Sequence, residues 1–329
     1  MQTRRIATQH VSSIGLGCMN LSHAYGVPPS AAQAESVLLG ALDVGITLLD
    51  TAALYGFGAN EELLGKVLSG QRHRYMLASK CGIFQENGRR VIDGRPATIK
   101  KTCEDSLRRL RTDVIDLYYL HRWDKQVPIE DSVGALSELV TAGKIRAIGL
   151  SEVSATTLRK AHAVHPIAAL QTEYSLWTRN PEIAVLDVCR ELDIAFVAFS
   201  PLGRGFLSES LPDVSHFEEK DIRRSMPRFS AENMTANLGL HRYLTQLATQ
   251  AGCTIPQLAL AWLLAKGEHI IALPGTTSFS HLKENIGAAD CVLSAEVVTA
   301  LDKLMHTHPV NGRRYNAATQ TEIDTEEFS

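Results

Sequence analysis

Short apolar runs alternate along the chain with longer amphipathic stretches, and the alternation is regular enough to predict a fold. The runs IGLGCM (14–19), ITLLDTA (46–52), YMLASK (75–80), VIDLYYL (114–120), IRAIGLS (145–151), AALQTE (168–173), IAFVAFS (194–200) and IIALPG (270–275) read as eight strands. Between them, helical spacing covers Ser30–Val44, Glu61–Leu68, Thr98–Leu110, Ile129–Thr141, Ala155–Val164, Ile183–Leu192 and Ile255–Ala265, and a last helix over His281–Ala288 would close the ring. Strands that are apolar throughout, instead of alternating in polarity, are expected where both faces of a parallel sheet are covered. Eight of them separated by helices predict a (β/α)8 barrel. Two polar segments break the rhythm, about 207–238 and the tail 307–329; long segments of this kind in a compact domain are usually functional. Both read as flaps over the active-site face of a single domain spanning 1–329.

Composition narrows the functional classes. At 329 residues the chain could hold two domains, but a single barrel of about 250 residues plus insertions fits the element order. With 33 basic and 36 acidic residues the net charge is -3, so nothing suggests a surface for nucleic acid or an anionic membrane. The N-terminus lacks the apolar run of a signal peptide, and no stretch of about 18 apolar residues occurs. Six cysteines without CxxC pairing or neighbouring His argue against a metal site or disulfide framework. A cytoplasmic protein acting on small molecules is expected.

The residues that end the apolar runs carry the candidate chemistry, because the active site of such a barrel lies at the C-terminal ends of its strands. The second run ends at Asp50 and is followed by Tyr55; the third ends at Lys80; the fourth is followed by His121. Any one alone reads as a turn, cap or solvated charge. Together they would place a charged cluster at the barrel mouth, and such a cluster needs pairing or a function. A phenol titrating near pH 10 becomes a proton donor when an adjacent cation stabilises its anion. Lys80 is that cation, Asp50 holds it, and a neutral His121 can polarise a carbonyl oxygen. A hydride must then come from a nicotinamide, since no side chain supplies one.

In GLGCM (15–19), LLDTAALYGFGANEELLGKVL (48–68), SK (79–80), DLYYLHRWD (116–124), GKIRAIGLSE (143–152), LQTEYSLW (170–177), AFSPLGRGFL (198–207) and LPGTTS…ENIGAAD (273–290), order and spacing follow one pattern. By these the chain resembles the aldo-keto reductase superfamily, over about residues 4–291 and closest to its bacterial and fungal branch of pyridoxal reductase-like and broad carbonyl reductases. The resemblance implies that Asp50, Tyr55, Lys80 and His121 form a catalytic tetrad with Tyr55 as general acid, and that NADPH binds extended, without a GxGxxG loop. It further implies Cys18 and Met19 beside the nicotinamide, Ser151, Glu152 and Gln171 around its carboxamide, and Phe199 on its ring. Ser200, Pro201, Leu202, Gly203 and Arg204 would take the pyrophosphate, Gly275, Thr276, Thr277 and His281 the adenosine end, and Glu284 and Asn285 the adenine.

Two departures stand out. Glu152 replaces the Asn that relatives carry beside the carboxamide-binding Ser. Where relatives place a Lys or Arg for the 2′-phosphate, this chain has Thr277 and Ser278, then His281, so NADH stays open beside NADPH. Tyr25, Phe57, Phe84 and Trp123 are the candidate substrate-pocket residues, suited to an apolar or ring-bearing carbonyl compound. The expected activity is reversible reduction of an aldehyde or ketone; the alternatives are a non-catalytic nicotinamide sensor on the same fold and a lyase or isomerase without nicotinamide.

Overall fold

The computed structural model describes residues 1–86 and 89–328. Its parallel strands are β1 (Leu16–Gly17), β2 (Leu48–Asp50), β3 (Met76–Cys81), β4 (Ile115–Leu120), β5 (Ile145–Ser151), β6 (Ile167–Glu173), β7 (Ala195–Phe199) and β8 (Ile270–Leu273), paired in sequence order. Parallel bridges from Ile14 to Ala272 and from Gly17 to Gly275 join the last strand to the first. The chain therefore folds as the expected (β/α)8 barrel. Around it lie α1 (Ala31–Asp43), α2 (Ala59–Leu68), α3 (Pro96–Leu110), α4 (Ile129–Thr141), α5 (Ala155–Val164), α6 (Val185–Glu191), α7 (Ala231–Ala251), α8 (Ile255–Ala265), α9 (Phe279–Gly287) and α10 (Ala295–Asp302). Side-chain oxygens set several starts: Ser30, Ser154, Ser230, Ser278 and Ser294 accept from the backbone at N3, and Thr254 with Gln257 forms a capping box.

Strand parity divides the core into two. Leu48, Met76, Ala78, Leu117, Tyr119, Ala169, Ala195, Val197, Ile271 and Leu273 form one cluster, joined by Ile6 and Val11. Residues between them, such as Leu49, Leu77, Tyr118, Leu120 and Phe196, belong to the other, with the helices. Successive side chains on a strand point to opposite faces, so the first cluster is the barrel interior. Ile6 and Val11 come from an antiparallel hairpin, Thr3–Ile6 with Gln9–Ser12, which plugs its N-terminal end. This hairpin, and a second formed by Ile83–Glu86 with Arg89–Ile92, were not predicted. Their four-residue strands are too short and polar to carry a readable period.

The two segments read as flaps both border the same cavity and are built as packed structure. Within 207–238, three 3-10 turns (Val214–His216, Ile222–Ser225, Pro227–Phe229) lead into α7, which begins at Ala231. Leu207, Met226, Phe229 and Met234 are buried in the core, so the segment is a packed cover with apolar anchors. The tail is bonded across the ends of β5 and β6. Asp324 accepts from the backbone and hydroxyl of Ser154 (3.1 and 2.8 Å) and from Thr157 (2.6 Å), and Lys125 donates to the Ile323 carbonyl (2.8 Å). Ser329, the end of the tail read from sequence, lies outside the described residues.

Candidate active site

The parity that defines the interior also aims the site. Counting inward by twos from the core positions gives Asp50 on β2, Lys80 on β3, His121 just past β4, Ser151 on β5, Gln171 and Glu173 on β6 and Phe199 on β7. Each is one of the last two inward residues of its strand or lies one place beyond, so seven polar or aromatic side chains converge where the apolar layers stop.

Lys80 is 1% exposed; its ammonium is bonded to Asp50 Oδ1, donates to the Thr51 carbonyl at 2.9 Å and lies 3.3 Å from the phenolic oxygen of Tyr55. Gln171 donates to the other Asp50 oxygen at 2.8 Å. The Tyr55 and His121 rings meet edge to face, 5.8 Å apart. Burial alone would lower the lysine pKa, but the Asp50 carboxylate and Tyr55 outweigh it and hold Lys80 above its ordinary value. His121 is driven well below the usual imidazole range by burial and by the charges of Arg122 and Lys80, so it is neutral. Burial pushes the Tyr55 phenol up, with Lys80 pulling against it. The expectation of a phenol brought down towards neutrality is thus not met in the protein alone; Tyr55 holds its proton.

A cavity of about 1250 Å³ opens in front of this cluster. Ligand pockets commonly measure roughly 300–1,000 Å³, so there is room for more than one small molecule. It runs from Tyr55 and His121 past Met19, Ser151, Gln171 and Phe199, along Ser200, Pro201, Leu202 and Arg204, to Gly275, Thr276, His281, Glu284 and Asn285, with Tyr25 and Phe57 also lining it. Ser200 (φ 47°), Gly203 (φ 56°) and Arg204 (φ 57°) all take left-handed backbone. Such strain persists where surrounding structure imposes it and clusters at ligand sites. A Cβ on Gly275 would come 3.0 Å from the Gly17 carbonyl, so the loop passes β1 more closely than a side chain there would comfortably allow. A long cavity bordered by a strained loop and a bare backbone fits an extended dinucleotide.

Several expected residues fall outside the cavity lining. Cys18 is fully buried, its Sγ directed to the Leu16 carbonyl at 3.6 Å. Gly203 turns beneath the loop against Trp177, and the Thr277 carbonyl accepts from Gln33 on α1. Trp123 donates from its indole to the Val127 carbonyl at 2.9 Å and packs on the core, while Phe84 sits in the second hairpin. Glu152 is turned away: its carboxylate binds Arg314 of the tail and accepts the backbone N–H of Glu173 at 2.9 Å. Arg204, read as a phosphate ligand, lines the cavity, but its guanidinium is committed to Glu173 at 2.7 Å and to the Tyr315 hydroxyl at 3.0 Å. Burial would raise the Glu173 pKa, yet Arg204 and Arg314 overcome it and bring the carboxyl down to about 2.

The pairing of Glu152, Glu173, Arg204, Arg314 and Tyr315 was missed from sequence, where Glu152 and Arg204 read as cofactor residues and the other three are not singled out, because strand-end and tail residues meet only in space. Arg122 was missed too, although it directly follows His121. Among the described residues no group of three His, Cys, Asp or Glu side chains could hold a metal ion. Among the described residues, too, no single helix is long and apolar enough to cross a membrane.

With this geometry in place, residues 13–306 match the Aldo/keto reductase family. An aldo-keto reductase of Schizosaccharomyces pombe, named for NADP(+), is 43% identical over 328 residues, covering 98% of this chain and 96% of that protein. Among solved structures, a glycerol dehydrogenase of Gluconobacter oxydans superposes with a TM-score of 0.85 at 30% identity, over 94% of this chain and 97% of that one. An aldo/keto reductase of Klebsiella pneumoniae in complex with NADP and acetate gives 0.75 at 29% identity, over 95% and 98%. The chain belongs to the aldo/keto reductase family. It is an oxidoreductase that interconverts carbonyl compounds and alcohols.

Proposed function

We propose that the enzyme reduces small aldehydes and ketones with NADPH, Tyr55 delivering the proton to the carbonyl oxygen. The observation that carries this reading is the buried Lys80–Asp50 pair standing 3.3 Å behind the Tyr55 hydroxyl at the cavity wall. When bound, the nicotinamide supplies the hydride that no side chain can. As Tyr55 gives up its proton, the ammonium of Lys80 stabilises the phenolate left behind, in a low-dielectric site where that charge acts strongly. Neutral His121 donates a hydrogen bond to the same carbonyl oxygen. Asp50 keeps Lys80 charged, and Gln171 keeps Asp50 oriented.

Ser151 and Gln171 take the carboxamide in this reading, Phe199 the ring face, and the backbone of residues 200–202 the diphosphate. Arg204 fixes that loop from beneath through Glu173 instead of neutralising phosphate. At the far end Thr276, His281, Glu284 and Asn285 hold the adenosine. The NADP in the relatives' names supports NADPH, with His281 and the α9 N-terminus receiving the 2′-phosphate in place of the absent Lys and Arg. Tyr25 and Phe57, with the cover residues Ile222 and Met226, form the substrate end. Six free thiols, four of them buried, support a reducing cytoplasm.

The substitution Tyr55→Phe tests the assignment, since it removes the proton donor and little else. Turnover of an uncharged aldehyde such as glyceraldehyde should fall by about 10³-fold, while the NADPH dissociation constant, read by fluorescence quenching, stays within about twofold. Near-normal turnover would reject Tyr55 as the acid.

A further inference from the structure

Four arginines line the cavity, and they do not share one electrostatic condition. Arg90 is paired with Glu322, Arg204 with Glu173 and Arg223 with Asp221. Arg122 has no carboxylate partner among the described residues, although it is only 8% exposed. Its Nη1 donates to the His121 carbonyl at 2.7 Å and to Ser151 Oγ at 3.3 Å; its Nε is buried with no partner. A guanidinium presents five donors in a rigid fork and stays charged, so this one meets only two neutral oxygens. A buried charge without a counter-charge is costly, and one kept at the edge of a ligand cavity is compensated when an anion arrives.

Position narrows which anion. Arg122 follows His121 at the end of β4 and touches the end of β5, whereas the loop fitted to the diphosphate follows β7 and the adenosine end follows β8. Its charge is therefore at the nicotinamide end of the cavity, beside Ser151 and next to the residues that bracket the carbonyl oxygen. Tyr55, His121 and Arg122 all line the cavity, so the substituents of a carbonyl held between the first two face the same space as the guanidinium. We infer that Arg122 is a specificity-determining residue that binds a carboxylate on the carbon adjoining the reacting carbonyl, making 2-oxo acids a preferred substrate class. The inference rests on the reductase reading above. In the reaction the C=O π bond breaks as a hydride from the reduced nicotinamide forms the new C–H bond and the Tyr55 proton forms the O–H bond; the 2-oxo acid is reduced to a 2-hydroxy acid and the nicotinamide is oxidised.

A matched pair isolates the carboxylate: benzoylformate and its methyl ester, assayed with NADPH on the whole enzyme. For the unmodified enzyme, kcat/KM should favour the acid by at least about tenfold, and in Arg122→Leu the acid-to-ester ratio should fall by about 100-fold, chiefly through KM, with Arg122→Lys recovering part of it. A ratio at or below one in the unmodified enzyme, or equal losses for both compounds in Arg122→Leu, would overturn the inference; equal losses would mean that Arg122 acts through Tyr55 and His121. Should Arg122→Leu fail to fold, the unmodified enzyme still decides, because mandelate should inhibit at least about tenfold more tightly than mandelamide, and equal inhibition constants refute the idea. Failure to reduce glyceraldehyde as well would instead count against the reductase reading.

Discussion

Lys80 keeps its charge inside the barrel because every donor it presents has an acceptor nearby, with Asp50 and the Thr51 carbonyl on one side and Tyr55 on the other. Removing the cation therefore does more than remove a phenolate stabiliser. In Lys80→Met the Asp50 carboxylate, 2% exposed, is left without a counter-charge. The variant should lose about 3–5 kcal/mol of stability in urea unfolding as well as its turnover; a loss below about 1 kcal/mol would show that the pair is not the coupled unit described here. At this scale the sequence was informative wherever the evidence was local. Asp50, Lys80 and His121 could be found because each closes an apolar run, but the partners of Glu152 and Arg204 could not. Arg314 stands 162 residues from the carboxylate it neutralises, and no spacing rule spans that distance.

Elements were legible in proportion to how much of their burial follows a period. The helices over 129–141, 155–164 and 255–265 matched to the residue, because their apolar stripes face the barrel and their starts are marked by polar caps or proline. The helix α7 was not predicted, its buried positions Met234, Asn237, Leu240, Leu244 and Leu247 being interrupted by a polar one. How closely the helices pack was not legible at all. Gly65 on α2 faces α3 so tightly that a Cβ would sit 2.2 Å from the Arg109 carbonyl, whereas Gly134 on α4 has nothing within 4 Å. The two glycines should thus respond with opposite sign. Gly65→Ala should destabilise by roughly 1–3 kcal/mol because the helices must part, and Gly134→Ala should stabilise by roughly 0.5–1 kcal/mol through helix propensity. Thermal melts of the two variants measure both, and a neutral Gly65→Ala would contradict the close approach.

Across the whole molecule, the charges gathered under the cover set its response to acid. His121 is neutral in the folded protein and titrates near pH 6.5 when unfolded, so the unfolded chain binds the extra proton first and stability begins to fall below that pH. Glu173 adds a second window: its carboxyl drops from 4.5 to about 2 on folding, so its contribution is complete above pH 4.5 and disappears as the pH falls towards 2. Above pH 4.5, where it is complete, it is on the order of 3 kcal/mol. Melting temperature should decline gently below pH 6.5 and more steeply below pH 4.5, and Glu173→Gln should flatten the steeper part. An unchanged profile in that variant would mean other carboxylates govern acid unfolding.

The tail that supplies Arg314 to Glu152 and Tyr315 to Arg204 is also a wall of the cavity. Attempts to change the substrate range by grafting another homologue's tail would remove the counter-charge of Glu152, one of the two cations facing Glu173, and the phenol that accepts from Arg204. The graftable unit is the tail together with residues 152, 173 and 204, and chimaeras that keep this set intact are the ones expected to accumulate as folded protein. Selectivity and expression yield are thereby inherited together.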